Sequence, residues 1–273
     1  MNDSSTITVN GSGTPVIALH SSMSSKSQWA RLAEQLERNY QFIAVDLSGY
    51  GKSGFPADSS RFSLQAEASI VDETICKTIG STTPFHLIGH SYGGGTALRL
   101  AQGQPHRVLT LSMYEPSMFC LLDGAGPERA EVQCVIDAVA SHTHGDPRMA
   151  TRVFIDYWNG AGSFDALPDN RKDAMVNRVH KVNLDFHALL SDPLKLDDCR
   201  SMTFPVYLVA GRGSPKPSRR IVDLLYASLP NAIRYDIDAG HMGPITHANE
   251  VSTLFTGFIE HHERQMRVSA VGF

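Results

Sequence analysis

Short apolar runs rich in β-branched residues alternate along this chain with stretches that have helical periodicity. The predicted strands are Pro15–His20, Gln41–Asp46, Phe85–Ile88, Val108–Met113, Pro205–Ala210 and Ala232–Ile237. The predicted helices that alternate with them are Gln28–Arg38, Leu64–Thr78, Gly94–Gly103, Ser218–Ser228 and Asn249–Glu263. Because crossover helices return the chain parallel to the preceding strand, this order predicts an α/β fold with a mostly parallel, doubly wound sheet.

One long stretch, residues 119–197, interrupts the alternation because it contains helical patterns but no convincing strand. The helices predicted within it are Ala130–Ser141, Arg148–Trp158 and Arg171–Leu190. We therefore predict a helical cap inserted between two strands of an α/β core that consists of residues 1–118 and 198–263. Residues 264–273 are predicted to form a C-terminal tail.

The composition is that of an ordinary globular protein, with 42% hydrophobic residues, 19% charged residues and a formal net charge of −4. It has no basic excess, which argues against a nucleic-acid or membrane-surface partner. The four cysteines form no CxxC pair, so neither a zinc site nor a disulfide framework is predicted. A reducing compartment is expected, and because no leader and no long apolar run are evident, the prediction is a cytoplasmic protein. The sequence indicates no cofactor and leaves the oligomeric state open.

A glycine-flanked serine follows the third predicted strand, in Gly89-His90-Ser91-Tyr92-Gly93, just before a predicted helix. A strand that reverses sharply into a helix leaves no room for side chains two residues before and after the turn. The turn lifts the serine hydroxyl above the carboxyl edge of the sheet. The helix N-terminus below it offers unpaired N–H groups and a positive field, which suit the oxyanion of acyl transfer. Ser91 is therefore a candidate nucleophile.

Three further motifs follow predicted strands. They are a loop that begins His20-Ser21-Ser22, a DxxGxGxS turn over residues 46–53, and the late run Gly240-His241-Met242. Together with GxSxGG, these motifs and their order resemble the α/β-hydrolase fold family, over residues 6–116 and 198–262. The set of four is much more specific than any one motif.

The resemblance implies a serine hydrolase that acts through an acyl-enzyme on a small-molecule ester, thioester or related acyl compound. It implies that Ser91 is the nucleophile, that His241 is the base, and that the N–H groups of Tyr92 and Ser22 hold the oxyanion. One departure is that the family's first loop usually begins His-Gly, whereas this chain has His20-Ser21.

A second departure concerns the acid that should orient the histidine. The family usually has it after the penultimate strand, in a pattern like Gly-x-x-Asp, where this chain has Ser214 and no Asp or Glu from residue 199 to residue 222. The best replacement is Glu115, at the end of the strand that follows the nucleophile helix. The alternatives are that Glu115 only lines the pocket or caps a turn, or that a cap acid such as Asp123 serves. Asp238 is too close to His241 along the chain to orient it well.

The substrate pocket is predicted between the core loops and the cap. The candidates from the core are His20, Ser21 and Met242, and the aromatic candidates from the cap are Phe154, Tyr157, Trp158 and Phe164. The alternative for each of these aromatic residues is that it only packs the interior of the cap. The candidates indicate an apolar or aromatic acyl or alcohol group. The sequence has no cluster of arginines that would suggest a highly anionic substrate.

Two alternative functions stay open. The same residues could serve carbon–carbon bond hydrolysis, perhydrolysis or lyase chemistry. The altered acid position and first loop also allow a ligand-binding or signalling protein on a weakened hydrolase scaffold. Dehalogenase and epoxide hydrolase chemistry is disfavoured because those relatives carry Asp at the position of Ser91.

Overall fold

The computed structural model describes residues 6–271 of the chain, with side chains as far as residue 268. Seven strands are present in these residues: β1 (Ile7–Asn10), β2 (Thr14–Leu19), β3 (Tyr40–Val45), β4 (Phe85–His90), β5 (Val108–Tyr114), β6 (Val206–Gly211) and β7 (Ala232–Ile237). They form one sheet in the order β1-β3-β2-β4-β5-β6-β7. All neighbouring pairs are parallel except β1 with β3, which confirms the predicted mostly parallel sheet.

Strand β1 was not predicted. Its four residues pair antiparallel with β3, and the two middle ones are exposed. A short strand at the edge of a sheet needs few apolar residues, so its sequence does not stand out from a polar loop.

Outside the segment between β5 and β6, the helices alternate with the strands as expected. They are α1 (Ala30–Leu36), α2 (Leu64–Ile79), α3 (Tyr92–Gly103), α4 (Pro127–Thr143), α5 (Pro147–Asn159), α6 (Asp169–Val176), α7 (Val179–Ser191), α8 (Leu196–Cys199), α9 (Lys216–Ser228), α10 (Gly243–Thr246) and α11 (Ala248–Val271). The single helix predicted over Arg171–Leu190 is wrong, because the chain turns at residues 177 and 178 and forms α6 and α7 instead.

Each face of the sheet packs against its own set of helices. In β2, Ile17 and Leu19 belong to one apolar cluster together with residues of α2, α3 and α9. Val16 and Ala18 belong to a second cluster, with residues of α1 and α11. Because successive side chains of a strand point to opposite faces, residues 15–19 of β2, which are all buried, are all apolar.

Helices α4 to α7 lie between β5 and β6 in the chain, and this segment contains no strand. Their buried apolar residues belong to the same cluster as the α2 and α3 side of the sheet. A helical insertion is therefore consistent with the fold, and the limits 119–197 stay a prediction.

Helix α11 continues through residues 264–271, so that part of the predicted tail is helical. Residues 272 and 273 lie outside the described residues. Within residues 6–271, no helix combines the length and the apolar character that crossing a bilayer requires.

Two glycines let the turn around Ser91 pack against the sheet. A Cβ at Gly89 would lie 2.5 Å from the Gly93 carbonyl oxygen, and a Cβ at Gly93 would lie 2.3 Å from the His20 carbonyl oxygen. The neighbours are backbone atoms and cannot rotate away. The carboxyl ends of β2 and β4 are thereby held in direct contact.

We expect Gly93→Ala to lower the free energy of unfolding by about 3 kcal/mol, because the new methyl group overpacks a rigid backbone contact. The matched control is Gly103→Ala at the end of the same helix, where a Cβ would have no atom within 4 Å. It should be neutral or more stable by up to about 1 kcal/mol, because alanine favours the helix. Urea unfolding followed by circular dichroism measures both, and equal effects would contradict the packing argument.

Candidate active site

Ser91 occupies a strained turn between β4 and α3. Its backbone has φ +54° and ψ −118°, and its side chain is almost buried. The Ser91 N–H donates to the Tyr114 carbonyl at 3.1 Å, and the Ser91 carbonyl accepts from the Ser117 N–H at 3.0 Å. A positive φ is costly for a residue with a side chain, and these bonds to the end of β5 hold it in place.

His241 lies between Ser91 and Glu115. Its Nε2 is 2.9 Å from Ser91 Oγ, and its Nδ1 is 2.7 Å from Glu115 Oε2. Because an ionised carboxylate only accepts, Nδ1–H donates to Glu115 and leaves Nε2 as the acceptor of the Ser91 O–H. The three side chains therefore form one continuous hydrogen-bonded chain, and all three are buried.

The Glu115 carboxylate is fixed at both oxygens. Oε1 accepts the Gly211 N–H at 2.7 Å, while Oε2 faces His241. The backbone of Glu115 has φ +42°, and its N–H donates to the Val209 carbonyl at 3.0 Å. Ser214, where the resemblance expected the acid, is also buried, and its hydroxyl has no hydrogen-bond partner within residues 6–271.

Backbone strain is concentrated at this site. Among residues 6–271, the non-glycine residues with positive φ are Met23, Ser91 and Glu115. Met23 lies in the loop after β2 and lines the cavity next to Ser91. Strained residues persist where surrounding contacts over-determine them, and functional sites are where they cluster.

The loop that carries His241 is held from below by two aromatic residues. His90 Nε2 is 2.8 Å from the His241 carbonyl, so it is the nitrogen that donates. Burial lowers the pKa of His90 well below its usual value, which keeps this ring neutral. The Tyr114 hydroxyl donates to the Gly240 carbonyl at 2.7 Å. His90 therefore supports the loop that carries His241.

His20 is a correction to the predicted pocket. It is fully buried and lines neither cavity at Ser91, because both ring nitrogens bond to backbone. Nδ1 donates to the Ser21 carbonyl at 2.7 Å, and Nε2 accepts from the Leu47 N–H at 3.0 Å. Burial lowers the pKa of His20 to about 4, so the ring is neutral and holds the β2 and β3 loops together.

Two cavities meet at Ser91. The inner one, of about 10 Å³, is lined by Ser22, Ser91, Tyr92, Ser117, Phe119, Phe154, Trp158, Val182, Asp185, Phe186 and Leu189. The larger one, of about 690 Å³, opens outward past Ser91 and His241 between the loop after β2 and the cap. The inner side of the serine has room for a group of about the size of one water molecule, and the greater part of a substrate would lie on the outer side.

Only some of the predicted pocket residues line the two cavities at Ser91. Ser21 and Met242 line the larger cavity, while Phe154 and Trp158 line both. The ring of Trp158 also lies 4.4 Å from that of His241, centroid to centroid.

Tyr157 is a second correction, because it faces away from Ser91. Its hydroxyl donates to Glu131 at 2.9 Å, and it lines a separate surface cavity beside Trp158. Phe164 is wholly buried beneath the guanidinium groups of Arg148 and Arg152, so it belongs to the interior of the cap.

Two serines near the reacting groups were missed by the sequence reasoning. Ser117 Oγ is 3.1 Å from Ser91 Oγ, and Ser218 Oγ is 3.5 Å from His241 Nδ1. Ser117 follows Glu115 by two residues, so the same strand-end argument could have found it. Ser218 lies in α9, and no motif marks it.

A buried lysine joins the cap to the core beside the nucleophile turn. Lys181 of α7 is fully buried, and its Nζ bonds to Asp185 and lies 3.8 Å from Glu67 Oε2. The ammonium also lies over the rings of Phe62 and Tyr92, 4.3 and 4.6 Å from their centroids. Gly49 lets the lysine stem pass, since a Cβ there would be 2.9 Å from Lys181 Cγ.

The same cluster holds both residues that were predicted as oxyanion donors. Asp185 Oδ2 accepts the Ser22 hydroxyl at 2.6 Å and the Tyr50 hydroxyl at 2.5 Å. The Tyr92 hydroxyl donates to Glu67 Oε2 at 2.9 Å. Burial raises the pKa of the Asp185 carboxyl, and the neighbouring Lys181 and hydroxyl donors oppose that shift.

Within residues 6–271, no group of three or more histidine, cysteine or acidic side chains is arranged to hold a metal ion.

Comparison with known proteins gives a consistent picture. A sequence profile described as the α/β-hydrolase fold matches residues 14–132. A fluoroacetate dehalogenase from a Burkholderia species is 37% identical over 110 residues, which are 39% of this chain and 36% of that protein. The lipase LipV of Mycobacterium tuberculosis is 27% identical over 257 residues, 88% of this chain and 90% of the lipase.

Solved structures resemble the whole described fold. An esterase from Thermogutta terrifontis, in a malate-bound structure, superposes with a TM-score of 0.75 at 18% identity and covers 94% of this chain and 93% of that chain. At this identity the likeness concerns the fold and not the substrate. The matches to the first curated relatives span only 36%, 24% and 24% of their lengths.

We expect Lys181→Met to lower the free energy of unfolding by about 3–5 kcal/mol, because Asp185 and Glu67 lose the buried cation that compensates them. Lys77→Met is the control, since Lys77 pairs with Glu73 on the exposed side of α2. It should change stability by no more than about 0.5 kcal/mol. Urea unfolding of both variants, with Asp185→Asn and the double variant, gives the coupling energy. A Lys181→Met protein as stable as the control would contradict the cluster's role.

Proposed function

We propose that this chain, which belongs to the α/β-hydrolase fold family of enzymes, is a serine hydrolase that cleaves a carboxylic ester, thioester or related acyl bond. The observation that carries the proposal is the hydrogen-bonded chain from Ser91 Oγ through His241 to Glu115. This arrangement can take a proton from the serine as it attacks and return it to the leaving group.

In the proposed mechanism, Ser91 Oγ attacks the carbonyl carbon and its proton moves to His241 Nε2. The resulting imidazolium gives the proton to the leaving alcohol or thiol, and an acyl-enzyme remains. His241 then takes a proton from water, which attacks the acyl carbon, and the imidazolium returns that proton to Ser91 Oγ as the bond to the serine breaks and the acid leaves. The Trp158 ring, tilted by 37° against the His241 ring, covers one side of the histidine.

Glu115 has the role of the triad acid in this proposal. Its contact with Nδ1 fixes the tautomer in which Nε2 can accept, and its charge stabilises the imidazolium. Glu115 follows β5, whereas the family usually has this acid in the loop after β6, where this chain has Ser214. The Gly211 N–H at the end of β6 aims the carboxylate toward the histidine from the neighbouring strand.

The Tyr92 and Ser22 N–H groups are the proposed oxyanion donors. Tyr92 is the first residue of α3, and the first N–H groups of a helix have no partner within the helix. Ser22 lines the inner cavity together with Ser91 and Tyr92. The bond from the Ser22 hydroxyl to Asp185 fixes the loop from the cap side, which preorganises it for a developing negative charge.

The walls next to the serine favour a small apolar group on the reacting carbonyl. The inner cavity is lined chiefly by aromatic and aliphatic side chains, among them Phe119, Phe186 and Leu189. Dehalogenation through a covalent ester requires a carboxylate nucleophile, and the residue at the turn is Ser91. A fully hydrogen-bonded chain to the serine also favours turnover over simple ligand binding.

The rate of labelling by a fluorophosphonate, followed by intact mass, tests the proposal because this reagent reports an activated serine without the natural substrate. Wild type should label rapidly and Ser91→Ala should not label. Glu115→Gln should label about 10²–10⁴-fold more slowly, because the amide cannot stabilise the imidazolium.

The matched control is Asp238→Asn, which removes an exposed carboxylate three residues before His241 and should label at the wild-type rate. If Glu115→Gln labelled as fast as this control, another group would be the acid. If wild type labelled no faster than Ser91→Ala, the serine would not be activated and a ligand-binding protein would be the better reading.

A further inference from the structure

The charged side chains that line the larger cavity are all arginines. The residues that line it include Arg31, Arg171 and Arg178 and no Asp or Glu. Its remaining polar lining is neutral, chiefly hydroxyl groups from the loop after β2. The cavity begins at Ser91 and His241, so whatever occupies it extends from the reacting carbonyl toward these arginines.

The three arginines are not equivalent. Arg31 is neutralised, because its Nη1 is 2.6 Å from Glu34 Oε2 and its Nε donates to Asn249 at 2.5 Å. Neither Arg171 nor Arg178 is within 4.0 Å of a carboxylate in the part of the chain that the structure describes. These two guanidinium groups therefore form no ion pair with an acidic side chain of residues 6–271.

Arg178 is also held in place. It lies in the turn between α6 and α7, and its Nη2 donates to the Gly51 carbonyl at 3.1 Å. Gly51 itself lines the cavity, so this bond fixes the arginine against the cavity wall. One bond to a carbonyl leaves most of the five N–H donors of a guanidinium free for another acceptor.

We infer that the larger cavity takes a substrate whose part remote from the reacting carbonyl ends in an anionic oxygen group, a carboxylate or a phosphate, bound by Arg171 and Arg178. Guanidinium groups match such oxygens in charge and geometry. The small inner cavity takes the short side of the ester, and the longer side runs past Trp158 to the arginines. This inference rests on the proposed hydrolase function and adds the substrate class.

Two pairs of esters test it, because the anionic group could lie on either side of the ester bond. The acyl pair is methyl hexanoate and monomethyl adipate. The alcohol pair is the acetate ester of hexanol and that of 6-hydroxyhexanoate. Hydrolysis of all four is followed by pH-stat. The methyl ester of 6-phosphonohexanoate distinguishes a phosphate-like group from a carboxylate. The readout is the ratio of kcat/KM for the anionic ester to that for its neutral partner.

We expect this ratio to exceed one in at least one pair, and to fall about five-fold in Arg171→Gln or Arg178→Gln and about twenty-fold in the double variant. Raising the salt concentration should lower it as well. Arg152→Gln is the matched control, because this cap arginine pairs with Asp165 and does not line the cavity. A ratio that neither arginine variant changes, in either pair, would overturn the inference.

A binding measurement separates this inference from the proposed function. Calorimetry of the intact methyl and acetate esters with the Ser91→Ala protein does not depend on turnover. Tighter binding of the anionic ester, lost in Arg178→Gln, would support the inference even if wild type hydrolysed nothing. Equal binding of the anionic and neutral esters in both pairs would overturn it even if wild type proved to be an active esterase.

Discussion

The contact between Glu115 and His241 is the interaction on which the geometry of this site depends. It joins the end of β5 to the loop after β7, and the Gly211 N–H at the end of β6 holds the carboxylate between them. Three neighbouring elements of the sheet thus meet at one carboxylate. Glu115 has a positive φ at this point of convergence, and its contacts with β6 and with His241 hold it in that strained conformation.

A second constraint comes from the cap. Lys181 and Asp185 enter the core next to Tyr92, and Asp185 also bonds to the Ser22 hydroxyl. Placing one cation and two carboxylates out of water is costly, so these groups must be well satisfied for the cap to pack here. The consequence for function is that the loop after β2 and the turn at Ser91 are tied to α7. Displacement of the cap would therefore disturb the proposed oxyanion donors as well as the pocket.

Much of the fold followed from the sequence because the central strands are buried on both faces and read as short apolar runs. β1 was not predicted because an edge strand is half exposed and has no continuous apolar run. The division between α6 and α7 was missed because residues 171–190 have continuous helical character, and only packing decides where the chain turns. Ser91, His241 and Glu115 could be selected because each follows a strand at the carboxyl edge of a parallel sheet.

The residues that the sequence did not reveal are those whose importance arises only from packing between the cap and the core. Lys181 has the pattern of an ordinary helical lysine, and nothing near it marks a side chain that the fold buries. His20 and Tyr157 were assigned to the pocket because of their neighbours along the chain. In the structure, the His20 ring bonds to backbone groups, and the Tyr157 hydroxyl donates to Glu131.

The sequence did not reveal the arginines of the cavity either. Arg171 and Arg178 lie among acidic residues such as Asp169 and Asp173, so the segment has no marked basic excess. In the fold, Asp169 pairs with Lys172 and Asp173 pairs with Arg148, both away from the cavity. The local charge that a substrate meets is therefore set by which acids are already paired elsewhere. In the proposed hydrolase, these pairings in the cap would set the specificity, whereas the motifs on the sheet would set the chemistry.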